Sequence, residues 1–354
     1  MPPKAAPVPS QEGLATVELV DLTYEHLKLC NVLEGEQVIV HTDSFTMPHY
    51  GPAFVAAAQR LGADVFQIVH PRTVERGVAE VWKRADMVVD LATGVRAYSD
   101  VLREALLSGT RVLRVGESEE VMRRLFPTVE MRERVEAGAR IMHEGSEMRI
   151  TSPGGTDLTF YKEGRDALGI YSLADEPGRW DIWPAGMVCC APHEDRGGGV
   201  LVLSPGDMML VFGRYVHDTV HIEVDDGSIT KISGGVEAAL LREWFGKFND
   251  PNVYRIAHIG WGCERRADWL KWGQDNESYY ANMQIAFGAN VGVFTQATTR
   301  SRGHFDFPCL RNSYWVDGVQ IMEDGEFLID ELRYQSDEAP VLAASGRQTP
   351  LNLF

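Results

Sequence analysis

Apolar positions recur along the chain with two different periods, and the change from one to the other divides it. Over "VELVDLTYEHLKLCNVL" and "GPAFVAAAQRLGA" they fall three and four apart, the spacing that lays a single stripe along a helix; "TVERGVAEVWKRA" and "SDVLREALLSG" follow the same rule. Between them run short β-branched stretches, "EQVIVHTD", "DVFQIVHP", "DMVVDLA" and "TRVLRVGE", apolar enough for strands covered on both faces. Strands alternating with helices are the βαβ rhythm of a parallel, doubly wound sheet. An α/β domain with a mainly parallel sheet is therefore predicted over residues 14–145, including a connecting helix near 128–143. The opening "MPPKAAPVPSQEG" is Pro- and Ala-rich, and residues 1–13 are expected to form a disordered tail.

From "EMRITSPGGTDLTF" onward the period shortens to two, punctuated by Gly, Pro and Asp, as in "GVLVLSPGDMMLVF" and "DTVHIEVDDGSITKISGG". That is antiparallel hairpin patterning. Two segments within it, "VEAALLREWFGKF" and "NESYYANMQIAFG", read as helices. The second domain is thus α+β, predicted over 146–340, with a polar tail at 341–354. No internal repeat is visible.

Length and charge narrow the function. A chain of 354 residues exceeds one typical core, in keeping with two domains. A net charge of −17 opposes a nucleic-acid partner, because phosphate binding needs clustered Lys and Arg. No apolar run is long enough to span a bilayer, and the five cysteines include no C-x-x-C pair, so a cytoplasmic, membrane-free enzyme is expected, assembled as a homo-oligomer. The parallel sheet invites a nucleotide, yet no G-x-G-x-x-G follows its first strand and no phosphate-loop signature occurs.

The candidate chemistry lies in "RGHFDFPCLRN". Strand side chains alternate faces, so His304 and Asp306 point the same way, half of a mononuclear metal site. Spacing alone is weak: ten histidines and 51 acidic residues predict about 1.4 such pairs by chance, and four occur, the others being His41/Asp43, His193/Asp195 and His221/Glu223. The aromatic setting of Asp306 favours a partnered carboxylate, and "HIGWG" offers His258 as a third ligand, flanked by glycines that permit close approach.

Four strings together, "ADEPGRWDIWPAG", "GGVEA", "FNDPNVYRIAHIGWG" and "HFDFPCLRN", resemble the 2,5-dihydroxypyridine 5,6-dioxygenase family, iron(II) enzymes that open a pyridine ring. The resemblance implies one Fe(II) per chain on His258, His304 and Asp306, with O₂ and a small aromatic or N-heterocyclic substrate as partners. It also implies a fold shared with the aminopeptidase-T metallopeptidases, whose two-metal site uses five ligands. At two of those positions this chain has Met187 and Gln284, too few carboxylates for a bridged pair of ions. A metallopeptidase or a non-catalytic metal-binding relative are the alternatives. Around the metal, Arg96, Arg179, Trp183 and Arg311 are candidate substrate contacts, and Trp180, Phe305 and Phe307 candidate walls for a flat ring. Glu176, His193 and Glu237 are candidates for an acid or base. Where the pyridine enzymes carry polar substrate contacts, this chain has Ile170 and Ile182, together with Arg96, which suits an anionic ring substituent.

Overall fold

The computed structural model describes residues 16–70, 77–94, 96–292 and 296–334; both predicted tails lie outside the described residues, as do positions 335–340. The first half forms a five-stranded sheet in the order Asp64–Val69, Gln37–Thr42, Met87–Asp90, Arg111–Val115, Trp180–Trp183, every neighbouring pair parallel. Helices Thr16–Leu29, Tyr50–Arg60 and Asp100–Leu107 connect and cover it. Ser99, Ser118 and Thr128 each accept an N–H of the helix that follows, which sets where those helices begin. The fifth strand comes from beyond residue 145. The parallel sheet therefore crosses the division at 145/146 that the change of period suggests.

The second half holds an eight-stranded antiparallel sheet running from Ser228–Gly234 at one edge to Glu326–Phe327 at the other. Beside it is a five-stranded sheet in the order Thr298–Cys309, Met283–Val291, Ile256–Gly262, Met187–Cys190, Ala167–Ile170. The helix expected over "VEAALLREWFGKF" is present as Val236–Gly246. The one expected over "NESYYANMQIAFG" is not: a five-residue helix, Gln274–Ser278, ends early, and Met283–Val291 is a strand. Apolar residues two apart (Met283, Ile285, Phe287) fit either element when the run is short, and pairing with strands on both sides decides for the sheet.

Alternation divides the five-stranded antiparallel sheet into two faces. Val188, Cys190, Ile259, Trp261, Ile285, Phe287, Phe305 and Phe307 are buried in the main core, partly beneath helix Val129–Glu144, whose Gly138 lets it approach Val188 and Trp261. The opposite face carries Leu168, Ile170, Met187, Cys189, His258, Gln284, His304 and Asp306, all lining one cavity of about 770 Å³. The C-terminal ends of the parallel strands close its other side.

Candidate metal centre

His258, Ala286 and Asp306 occupy one rung across three antiparallel strands. Two strand spacings separate the outer residues by about 10 Å, so their side chains meet only because the middle residue ends at a methyl group. His258 Nε2 lies 3.1 Å from Asp306 Oδ1. On the next rung His304 stands opposite Gly288, and its Nε2 is also 3.1 Å from the same oxygen. Gly288 has φ +112°, and a Cβ there would collide with the Gly303 carbonyl, so glycine is required for this approach. The ligating atoms of His258, His304 and Asp306 all fall within 4.8 Å of one another, in the only such cluster of His, Cys, Asp or Glu among the described residues.

The donor set fits a cation. Ala289 O accepts a 2.8 Å hydrogen bond from His304 Nδ1, which leaves Nε2 with its lone pair facing the cluster. His258 Nδ1 is buried without a hydrogen-bond partner among the described residues. Burial holds the His258 imidazole below its usual pKa despite the attraction of Asp306, so it is a neutral ligand. Burial alone would raise the Asp306 carboxyl; His304 and His258 outweigh it and keep the group well below the carboxylate range. Two imidazoles and one carboxylate, each between 12 and 15% exposed, make a metal-ready set with an open side toward the cavity.

Two residues that motif reading passes over also reach this space. Tyr98, in the loop after Met87–Asp90, places its hydroxyl 3.2 Å from His304 Nε2, with its ring 4.3 Å from the imidazole. Burial keeps that phenol protonated. Glu277, from the short helix Gln274–Ser278, lines the cavity and accepts a 2.8 Å hydrogen bond from Gln274. Burial, with Asp306 adding repulsion, pushes its carboxyl up to about 8. Tyr98 carried one signal, its place at the C-terminal end of a parallel strand where such sheets bind ligands; Glu277 carried none.

Of the residues singled out from sequence, the structure brings His258, His304, Asp306, Met187, Gln284, Arg96, Trp180, Ile170 and Ile182 to the cavity. The remaining candidates lie elsewhere. Trp183 alternates to the face opposite Ile182, is fully buried and stacks on His26 at 3.7 Å. Arg179 binds Asp181 at 2.7 Å and the carbonyls of Gly169 and Leu173, knotting the "ADEPGRWD" loop. Arg311 pairs with Asp324 on the surface. Phe305 and Phe307 stack on each other at 4.6 Å within the core. Glu176 is exposed, His193 hydrogen-bonds the Glu163 carbonyl, and Glu237 pairs with Arg214; none of these three lines the cavity.

Residues 18–329 match the model of the 2,5-dihydroxypyridine 5,6-dioxygenase (NicX) family. A 2,5-dihydroxypyridine 5,6-dioxygenase of Pseudomonas putida KT2440 is 32% identical over 338 residues, covering 87% of this chain and 95% of that protein. The solved structure of 2,5-dihydroxypyridine dioxygenase from the same organism superposes with a TM-score of 0.84 at 30% identity, covering 90% of this chain and all of that one. AmpT from Thermus thermophilus, at 14% identity and TM-score 0.64 over 88% of this chain and 99% of its own, shares the fold. With most of its length matched by both sequence and structure, the chain belongs to the 2,5-dihydroxypyridine 5,6-dioxygenase family and is a dioxygenase.

Proposed function

We propose that this enzyme holds one Fe(II) on His258, His304 and Asp306 and uses O₂ to open the ring of a hydroxylated pyridine or related hydroxy-aromatic, placing both oxygen atoms in the product. The observation that carries this reading is the convergence of two imidazoles and one carboxylate on the floor of a cavity wide enough for a single ring. Three protein ligands would leave positions on such an ion free for substrate and O₂. When bound, the iron supplies Lewis acidity toward a ring hydroxyl and a route for electrons from the ring to O₂, so no external reductant is needed. In this reading the α+β part of the chain is the catalytic portion.

The side chains around the set have separate tasks. Ile170, Ile182, Trp180 and Leu168 present a flat apolar wall that orients the ring and excludes water. Tyr98, held protonated, donates from beside His304 toward oxygen atoms that enter there. Glu277, neutral at pH 7, holds a proton at its carboxyl for release to the cleaved ring. Arg96 meets an anionic substituent. A hydrolytic two-metal reading is opposed by Met187 and Gln284: the thioether is no ligand for a hard ion, and the Gln284 amide is occupied donating to the carbonyls of Asn276 and Glu277.

The test is O₂ consumption by Fe(II)-loaded enzyme given 2,5-dihydroxypyridine, with ¹⁸O₂ and mass analysis of the product. Two labelled oxygens in a ring-opened acid, and no uptake by His304→Ala, are expected. Hydrolysis of aminoacyl anilides without O₂ consumption would replace this reading with the peptidase one.

A further inference from the structure

Opposite the metal floor, one rung crosses the whole parallel sheet: Ile68, His41, Asp90, Arg114 and Ile182 stand in register. It lies near the C-terminal ends of the strands. Strand order reverses between Gln37–Thr42 and Met87–Asp90, the crevice in which open α/β sheets take ligands.

Asp90 is buried between two guanidiniums. Its Oδ1 is 3.5 Å from Arg96 Nη1, its Oδ2 is 3.8 Å from Arg114 Nη1, and His41 Nδ1 is 3.3 Å from Oδ1. Each arginine is further anchored through the same Nη1, Arg96 donating to the Gly94 carbonyl at 3.0 Å and Arg114 to the carbonyls of Asp90 and Ala92. Neither Nη2 has a hydrogen-bond partner among the described residues, and both side chains line the cavity. Two cations thus share one carboxylate. Asp43 nearby is taken up by the N–H groups of Phe45, Thr46 and Thr93 and forms no ion pair with either arginine. Burial raises the Glu117 carboxyl, also on the lining, from its ordinary value; it and Asp43 attract Arg114 through space without forming a direct ion pair with it. A buried cation without a full partner is costly unless a ligand supplies one.

We propose that Arg96 and Arg114 form a subsite for a carboxylate on the substrate ring, so that the substrate is a hydroxylated pyridine or benzene carrying a ring carboxylate. This rests on the ring-cleavage reading above and names its substrate class. Arg96 lies two residues before Tyr98, at most about 7 Å along the backbone, and the Tyr98 hydroxyl touches His304, so the anion end and the metal end face the same cavity. In this arrangement a ring hydroxyl faces the metal ligands and the ring carboxylate meets the two free Nη2 groups.

The test is anaerobic equilibrium binding to Fe(II)-loaded protein of a matched pair, 2,5-dihydroxybenzoate and 1,4-dihydroxybenzene, which differ only in the carboxylate. The carboxylated ring is expected to bind about 10- to 100-fold tighter, the range of charge-assisted hydrogen bonds. Arg96→Gln and Arg114→Gln should each collapse that ratio by about tenfold, and Arg96→Lys should restore part of it by returning charge without the fork. Thermal melting checks that each variant folds; Arg96→Gln leaves Asp90 paired with Arg114 and decides the matter if Arg114→Gln does not fold. A wild-type ratio near one, or a ratio that survives both substitutions because the carboxylate sits on the metal, overturns the subsite. A protein that binds the carboxylated ring through Arg96 yet opens neither it nor the matching carboxylated dihydroxypyridine with O₂ keeps the subsite and loses the proposed ring cleavage of that class.

Discussion

On the antiparallel side of the cavity the chemistry comes from same-face positions of paired strands, with Ala286 and Gly288 opposite the ligands as spacers. On the parallel side it comes from strand ends and the loop behind them: Asp90, Arg96, Tyr98 and Arg114. The first wall is fixed by register, because a ligand displaced by one residue would point into the core. The second has one fixed row and a loop whose residues can change without moving the sheet. A family can therefore keep its metal on the first wall while substrate choice drifts on the second.

The widest effect separates structure from substrate contact near these walls. Arg179→Ala strands the fully buried Asp181 carboxylate without its guanidinium, and denaturant unfolding should show a loss of about 3–5 kcal/mol. Arg311→Ala, removing a surface pair, should leave both the unfolding midpoint and the turnover where they were. A loss of turnover in Arg311→Ala with an unchanged midpoint would return that residue to the site.

Next is the spacer. Ala286→Val suits a strand but places a branched side chain between His258 and Asp306. Metal affinity should fall by about 10- to 100-fold, as when the support of a metal ligand is removed, while circular dichroism stays native. Unchanged affinity would mean that the rung does not set the ligand distance.

A smaller effect concerns Glu277 in metal-free protein. Its carboxyl moves from 4.5 to about 8 on folding. Between those values the folded chain holds more protons there than the unfolded one, so this group's contribution to stability is full below about 4.5 and is lost as pH rises toward 8. Glu277→Gln should therefore raise the melting temperature more at pH 8 than at pH 5. An equal shift at both values would place the carboxyl in ordinary solvent.

Much of the metal wall was legible because its signals are local. His304 and Asp306 are two apart on one strand, a spacing three other pairs share, and the family resemblance of "HIGWG" and "HFDFPCLRN" singles them out with His258 and marks Met187 and Gln284 as what a two-metal site would lack. The βαβ half was legible from period alone. What escaped depends on contacts distant in sequence: Trp180–Trp183 joins the parallel sheet 65 residues after Val115, and Tyr98 meets His304 across 206 positions. The distinctive string "ADEPGRWD" drew Glu176 and Arg179 toward the site, yet its distinctiveness has a structural cause. Asp181 accepts from Arg179 and from the N–H groups of Tyr171, Ser172 and Ile182, a set of bonds few other residues satisfy.

The central claim is a single iron on the antiparallel wall, and anaerobic titration of metal-free protein with Fe(II), read as metal bound per chain, tests it most directly. One equivalent per chain, abolished in both His258→Ala and His304→Ala, is the predicted result. Two equivalents, or one that survives the loss of either histidine, would contradict it.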